Sequence, residues 1–398
     1  MGQSIPLGTQ LGVGMGERAA ARAEATSIPW TIWCMVAGIA SGMVGGIWDI
    51  SWHMSIGRDT FWTPAHIAIQ MTGVLVGIAC GYLILSATFG GESAARETSV
   101  KIWGFRGPLG AFIAVWGCVA MLTSAPFDNW WHNAYGLDVK IVSPPHTLLS
   151  LGSFAIKVGA LALMAGLMNR ASEALRRRLM WLFAYVGATA VAQAGLILTQ
   201  PTWPVYMHSA SCYLAVAIGI PAVLVGTAWG AGNKWACTRV AAIYTAILLA
   251  AEWILPLFPA EPKLGPVYQH VTHFIPLRFP MLLIVPAVVL DLLWNRVGDW
   301  KRFRLAAATG AAFLVSFVAV QWPFANFLMS SSARNRIFGM AYFGYFDPAG
   351  FLYDPYAFQA AEKTRGAFWL TMAFAVVAAM ITSRLGLAWG DWMRRMRR

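Results

Sequence analysis

Ten apolar segments recur along the chain, each close to the roughly 20 residues that cross a bilayer as a helix. A backbone in lipid must satisfy its hydrogen-bonding groups within the segment, so these segments are predicted to be helical. Only 12% of the residues are charged, whereas a soluble domain usually carries about 25%. We therefore predict an all-α, polytopic transmembrane bundle of about ten spans: 28–50, 64–88, 105–125, 144–168, 179–200, 207–231, 239–257, 277–294, 305–323 and 366–385.

The formal charge of +12 does not indicate a nucleic-acid partner. The basic residues lie in short connections between apolar segments and form no patch with interleaved aromatic side chains. The five cysteines are scattered and include no Cys-x-x-Cys pair, which argues against a disulfide framework or a thiolate zinc site. The basic residues are therefore interpreted as determinants of membrane topology.

Lysine and arginine are unevenly distributed between the two sets of connections. Connections on the same side of the membrane as the two chain ends are rich in lysine and arginine, as in the run 170–178. Connections on the opposite side carry few of these residues. Only the long outer loop 325–365 breaks the trend, and long loops follow the positive-inside rule less well. We predict an inner-membrane protein with cytoplasmic tails 1–27 and 386–398, a four-span region 28–168, and six further spans in 169–385.

This topology places all seven histidines at the outer, periplasmic ends of spans or in the adjoining loops. Chance placement at the membrane interface explains a one-sided set less well than a common site does. The seven are His53, His66, His132, His146, His208, His270 and His273.

Two of the outer connections are copies of one motif. The segments 48–66 and 127–146 share the pattern D-x-x-W-H-x-x-x-G-x-D, followed by a proline and a histidine. Corresponding residues are 79 positions apart up to the second aspartate, and His66 and His146 are 80 apart. The chain therefore contains an internal repeat of one helical hairpin.

Each copy can bring one carboxylate and two imidazoles together at the mouth of its hairpin. Asp49 and His53 are four residues apart and so share one face of a helix end. Gly57 permits a turn, and Pro64 suits the first turn of the next helix, which brings His66 to the same end. Such two-nitrogen, one-oxygen sets suit copper, zinc or non-haem iron. The second copy supplies Asp128, His132 and His146.

An isolated aspartate and histidine at a helix end most often only meet water or headgroups. The duplication, with a third histidine in each copy, favours two metal sites instead. We interpret Asp59 and Asp138 as groups that orient the histidines or as turn residues. Four other outer residues are candidates for additional metal ligands, and the alternative for them is structural or headgroup contacts: His208, His270, His273 and Glu252.

These two hairpins resemble the C subunit of copper membrane monooxygenases, which oxidise methane, ammonia or short alkanes. One copper site of that family has the pattern Asp-x3-His-x12-His, which is the spacing of Asp49, His53 and His66. A neighbouring site has Asn-x3-His-x13-His, and the second hairpin matches that spacing with Asp128 at the position of the asparagine. The resemblance covers about residues 28–168, and it leaves the later spans and the long outer loop without counterparts.

The resemblance implies a copper-dependent membrane monooxygenase, or its metal-bearing subunit, that oxidises a small apolar substrate. It also implies A-type and B-type partner subunits, with a homo-oligomer as the alternative. Two other functions, and a purely structural subunit, stay open on the residues alone. A metal transporter or metal-handling protein would hold its ligands near the bilayer midplane, and an electron-transfer or quinone-binding subunit would need haem-ligating histidines that face each other within spans.

Overall fold

In a computed structural model of the protein, the described residues are 27–57, 62–90, 98–136, 143–198, 204–263, 271–297, 299–339 and 357–396. Within them the chain forms ten α-helices, and a two-stranded antiparallel hairpin, β1 (Val100–Ile102) and β2 (Phe105–Gly107), precedes the third. The helices are α1 (Trp30–Ser55), α2 (Pro64–Phe89), α3 (Leu109–Tyr135), α4 (Pro144–Met168), α5 (Glu173–Leu198), α6 (Ala210–Ala231), α7 (Ala236–Ile254), α8 (Ile284–Val297), α9 (Arg302–Met329) and α10 (Arg365–Arg395).

Nine of these ten helices are long and apolar enough to cross a membrane, which confirms the prediction of a multi-span helical protein. Helix α8 is the exception, because it has only 14 residues. Several helices run beyond the predicted spans. In particular, α1 continues to Ser55, and α3 continues through Pro126 to Tyr135. The extra turns carry His53 of the first motif and both Asp128 and His132 of the second, whereas Asp49 already lies within the predicted first span.

The predicted eighth span, 277–294, is wrong over its first seven residues. Residues 274–282 are neither helix nor strand, and α8 begins only at Ile284. Pro276 and Pro280 explain the difference, because proline has no amide donor and disfavours helical backbone at the residue before it. The irregular backbone is buried in the protein, where polar groups satisfy it: Ser55 Oγ accepts from Ile275 N (2.7 Å) and Tyr244 Oη accepts from Met281 N (3.3 Å).

Successive long helices run in opposite directions and give the bundle two distinct ends. We call the end where α1 finishes and α2 begins the upper end. The backbone N–H of Lys263 donates to Ile56 O (3.0 Å) there, and Glu362 accepts from the first amides of α6. At the opposite, lower end, Asn169 Nδ2 donates to Met393 O and Met396 O (2.9 Å each). Helix α1 therefore begins at the same end at which α10 finishes.

Helices α3 and α4 approach through pairs of glycines. A Cβ added at Gly117 would lie 2.6 Å from Gly152 O, and one added at Gly110 would lie 2.5 Å from Gly159 O. Small residues let two helix backbones meet this closely, and dispersion contacts between them stabilise the pair in lipid. The same seam occurs between α1 and α2, where Gly38 stands 79 positions before Gly117 and its carbonyl accepts from Thr72 Oγ1 (2.8 Å). The repeat therefore includes the packing of each hairpin.

Two buried or half-buried carboxylates have structural partners at the lower end. Asp291 accepts from the backbone N–H of Cys237 (3.2 Å) and of Thr238 (2.8 Å), and so caps the start of α7. Asp391 accepts from Arg302 Nε (2.9 Å) and from Trp229 Nε1 (2.8 Å), which joins α9 and α6 to α10. These acidic groups stabilise the bundle and are remote from the upper end.

We predict that Gly117→Ala destabilises the folded protein by about 1–3 kcal/mol, because the new methyl group must push α3 and α4 apart. Unfolding in detergent, followed by circular dichroism, measures the effect. Gly81→Ala is the matched control, since a Cβ there meets nothing within 4 Å. Equal stability of the two variants would contradict the role of the glycine seam.

Candidate metal centres

The first motif forms a compact triad at the mouth of the α1–α2 hairpin. Asp49 and His53 lie on the last turns of α1, and His66 is the third residue of α2. Asp49 Oδ1 is 3.0 Å from His66 Nε2 and 3.7 Å from His53 Nε2. One ligand atom from each of the three side chains lies within 4.8 Å of the others.

The second motif forms the corresponding triad at the mouth of the α3–α4 hairpin. Asp128 Oδ2 is 3.4 Å from His132 Nε2, and Asp128 Oδ1 is 3.4 Å from His146 Nε2. The three ligand atoms again lie within 4.8 Å of one another. The imidazole centroids are 6.4 Å apart here and 6.3 Å apart in the first triad, so the repeat preserves the arrangement of the ligands.

Helix capping fixes the position of the second histidine in each triad. Thr63 Oγ1 accepts from the backbone N–H of His66 (3.1 Å), and Ser143 Oγ accepts from that of His146 (3.3 Å). A proline follows each capping residue at the first helical position, where its missing N–H is not needed. The third residue of α2 and of α4 is thereby held at the upper end, facing the helix that precedes it.

Glycine ends the preceding helix in both copies. Gly57 has a φ of 102° and Gly136 a φ of 85°, and both values favour glycine. Gly136 N donates to His132 O (3.0 Å) and so closes the last turn of α3. The repeated spacing from aspartate to glycine therefore matches a helix end followed by a turn, and the two triads lie at the same end of the bundle.

The second triad contains a carboxylate oxygen that lacks a hydrogen bond. Asp128 Oδ1 is buried, and within the described residues its 3.4 Å approach to His146 does not have hydrogen-bond geometry. A buried acceptor without a partner costs about 1–3 kcal/mol. A cation held between this oxygen and the two imidazoles would remove that penalty, and a carboxylate with two imidazoles is a suitable ligand set for a divalent metal.

Within the described residues, the other predicted ligands do not form a comparable set. His208 is stacked between Trp322 and Phe358, with ring centroids 4.2 and 3.7 Å away, and His208 Nε2 lies 3.2 Å from Trp322 O. His273 is exposed and lies beside Thr272 Oγ1 (2.9 Å). Among the described residues, neither belongs to a group of three potential ligand atoms within 4.8 Å.

Glu252 is the remaining candidate within the part of the chain that is described. It is fully buried near the end of α7, and both carboxylate oxygens lack a hydrogen-bond partner among the described residues. It belongs to neither triad and to no third group of ligand atoms in the described ranges. The other predicted positions, His270, Asp59 and Asp138, lie outside the described residues.

An apolar cavity near the upper end was not predicted. Its volume is about 140 Å³, and Ile50 and Met54 of α1 line it on one side. The irregular segment 276–281 lines another side, together with Tyr244 and Gln321. The sequence feature that could have predicted this cavity is the pair of prolines within the segment, because an interrupted span commonly lines a cavity.

Comparison with known proteins identifies no family. A scan against family models finds no match, and searches of curated proteins and of solved structures find none either.

We predict that Asp128→Asn weakens Cu(II) or Zn(II) binding at the second triad by about tenfold or more, because the amide removes one negative charge and a strong oxygen ligand. Cu(I) binding should be retained, since the two imidazoles remain. Competition titrations with chelators measure both affinities. Asn129→Ala, on the exposed neighbouring position, is the control. Unchanged divalent affinity in Asp128→Asn would show that Asp128 is not a ligand.

Proposed function

We propose that each triad binds one copper ion and that the chain is a membrane monooxygenase, or its metal-bearing subunit, acting on a small apolar substrate. The observation that carries the proposal is the pair of triads, each with three ligand atoms within 4.8 Å. Two copies of one ligand set, held by the same caps and turns, are difficult to explain as solvated helix ends. The alternatives that the triads leave open are zinc and non-haem iron.

The ligand chemistry and the motif spacing support copper in different ways. Imidazole nitrogens bind copper well, and the carboxylate favours its divalent state. Both spacings match those of the C subunit of copper membrane monooxygenases, in the same order along the chain. Copper in such a set would supply one-electron redox chemistry and the activation of dioxygen. The protein would hold the metal through Asp49, His53 and His66, and through Asp128, His132 and His146.

The cavity supports a small apolar substrate. A volume of about 140 Å³ with mainly aliphatic and aromatic walls is suited to a molecule of a few carbon atoms. An engineered apolar cavity of about 150 Å³ binds benzene, which sets the scale for this volume. Ile50 and Met54 line this cavity and directly follow the ligands Asp49 and His53 in α1. A substrate dissolved in the bilayer would therefore have a binding place on the helix that carries the first triad.

The position of the triads also separates this proposal from metal transport. Both ligand sets lie at helix ends, on the same end of the bundle, whereas transporters hold their cargo near the membrane midplane between repeats. We propose that this upper end faces the periplasm and that both chain ends face the cytoplasm. The arginines of 176–178 and of the 384–398 segment support that orientation. A- and B-type subunits, or further copies of this chain, would pack on the lipid-facing helices.

We predict that the purified protein binds two copper ions and shows no haem absorption. His66→Ala and His146→Ala should each lose one copper, and the double variant should lose both, because each change removes one of three ligands. Elemental analysis and electron paramagnetic resonance measure the content and the coordination. His273→Ala is the control. Full copper content in His146→Ala would exclude the second triad as a site, and a haem spectrum would support the electron-transfer alternative.

We predict that Ala134→Cys and Lys101→Cys react with membrane-impermeant maleimides from opposite sides of intact inner-membrane vesicles. Both positions are exposed; Ala134 lies in the last turn of α3, and Lys101 lies in β1, before the start of α3. Ala134→Cys should react from the periplasmic side. Reaction of Ala134→Cys from the cytoplasmic side would invert the proposed orientation and leave the triads intact.

A further inference from the structure

Lys157 is an amine in the middle of the membrane-spanning helix α4. Its side chain is only 5% exposed. Its Nζ donates to Ser153 Oγ (2.8 Å) and to Gln193 Oε1 (2.6 Å), and both acceptors are neutral. No carboxylate of the described residues lies within 4.0 Å of it. An ionisable group in a span is energetically costly and marks a functional position.

Lys157 lies on the same face of α4 as His146 of the second triad. Ser150, Ser153 and Lys157 follow His146 by four, seven and eleven residues, a spacing that keeps all four side chains on one stripe of an α-helix. Side chains on a helix lean toward its N-terminus, so the amine of Lys157 reaches back one turn to Ser153. The stripe therefore runs from the mouth of the hairpin to the interior of the membrane.

Gln193 of α5 joins the polar groups of this stripe. Gln193 Nε2 donates to Ser150 O (2.9 Å), while Gln193 Oε1 accepts from Lys157 Nζ (2.6 Å) and from Ser153 Oγ (3.3 Å). Ser150 and Ser153 are half-buried, whereas Lys157 is buried. The network thus links a partly accessible position one turn below the triad with an amine that is shielded from the surface.

The first hairpin has no such stripe. The positions that correspond to Ser150, Ser153 and Lys157, 80 residues earlier, are Gln70, Gly73 and Gly77. A Cβ at Gly73 would lie 2.9 Å from Leu122 Cγ, so an apolar side chain fills the space there. The polar stripe therefore belongs to the second triad alone, and descent from a common hairpin does not account for it.

Among the described residues, Gln193 and Ser153 are the side chains that hydrogen-bond the amine. Helices α1, α2, α3, α5, α6 and α10 pack against α4. The acidic, histidine and basic side chains of these helices lie toward the ends of the bundle: Asp49, His53, His66, Asp128, His132, Glu173, Arg176, Arg177, Arg178, Arg365, Arg384, Asp391, Arg394 and Arg395. Their thiols and phenols form no bond to the amine: Cys34, Cys80, Cys118, Cys212, Tyr82, Tyr135, Tyr185 and Tyr213.

We propose that the α4 face from His146 through Ser150 and Ser153 to Lys157 is a proton path, and that Lys157 is the proton-exchanging residue at its inner end. In a transfer, one N–H bond of the Lys157 ammonium breaks and Ser153 Oγ takes that proton. The Ser153 hydroxyl, which donates to Gln193 Oε1 in the structure, would turn from Gln193 and release its own proton to a water molecule entering beside Ser150. The amine is left neutral, and the reverse sequence restores its proton. The purpose of the path rests on the proposed function, because a metal centre that cycles between charge states needs protons.

The path itself is tested by substituted-cysteine labelling, which does not depend on metal. Ser150→Cys and Ser153→Cys are placed in a variant without the five native cysteines and reconstituted in nanodiscs. A small, anionic methanethiosulfonate should modify both at least about tenfold faster than Leu151→Cys, because a thiol that faces lipid is not wetted. Leu151 is the matched control, since it is next to Ser150 and 64% exposed on the surface of the bundle. Equal rates at the three positions would overturn the path.

The role of Lys157 is tested on copper-loaded protein. After rapid reduction with ascorbate, a pH-sensitive dye follows proton uptake in the wild type, Lys157→Met and Lys157→Arg. Both variants should keep their copper and take up protons about tenfold more slowly, because arginine keeps the charge but does not release a proton in proteins. Normal rates in Lys157→Arg alone would show that only the charge matters and overturn proton exchange. A wild type without copper would refute the proposed function, and the labelling rates would then decide the path alone.

Discussion

A backbone that crosses lipid has no water to bond with, and this constraint determines where the polar side chains of this chain can stand. The helices satisfy their own amides and carbonyls, so ligand side chains are placed at helix ends, where turns and caps begin. Thr63 and Ser143 each satisfy an amide at the start of a helix, and in doing so they fix the histidine three residues later. Capping and the geometry of the candidate ligands are therefore two consequences of one local arrangement.

The glycine seams extend this arrangement into the bundle. Close approach of α3 and α4 at Gly117 and Gly152 holds the two ends of the hairpin in register. The aspartate and first histidine on one helix then meet the second histidine on the other. A shift of one residue along the seam would rotate the ligands by about 100° and break the set. Helix packing far from the triad therefore helps to bring its three side chains together.

Much of the fold and of the candidate site followed from the sequence, for physical reasons that can be named. The apolar lengths predicted the spans, and the repeated spacing from Asp49 to His66 predicted which side chains meet. The interrupted span at Pro276 and Pro280 was missed because its mean composition is as apolar as that of a helix. Its backbone is stabilised by Ser55 and Tyr244, which are distant in sequence and cannot be paired with it by local pattern.

Individual ionisable residues show the same limit. The partners of Lys157 are Ser153, which is local, and Gln193, which is 36 residues away across a helix interface. Asp291 is remote from Cys237 and Thr238 in sequence, and it serves as a cap for a helix that it does not belong to. Periodicity identifies faces within one helix, but it does not say which faces meet. Hydrogen-bond partners across interfaces therefore required the structure.

The two hairpins share their ligands and differ in what lies beneath them. Below His66 the corresponding positions are Gln70, Gly73 and Gly77, with the side chain of Leu122 against Gly73. Below His146 they form a polar stripe that ends at Lys157. Identical ligand sets bind the same kinds of ion, but the medium around a metal controls the access of water and of protons. A duplicated hairpin can therefore keep its ligands by common descent while its two centres diverge in chemistry. The first triad adjoins the helix positions that line an apolar cavity, and the second adjoins a network of hydroxyl, amide and amine groups. Under the proposed function, this contrast would suit the first triad to an apolar reactant and the second to proton-coupled redox change.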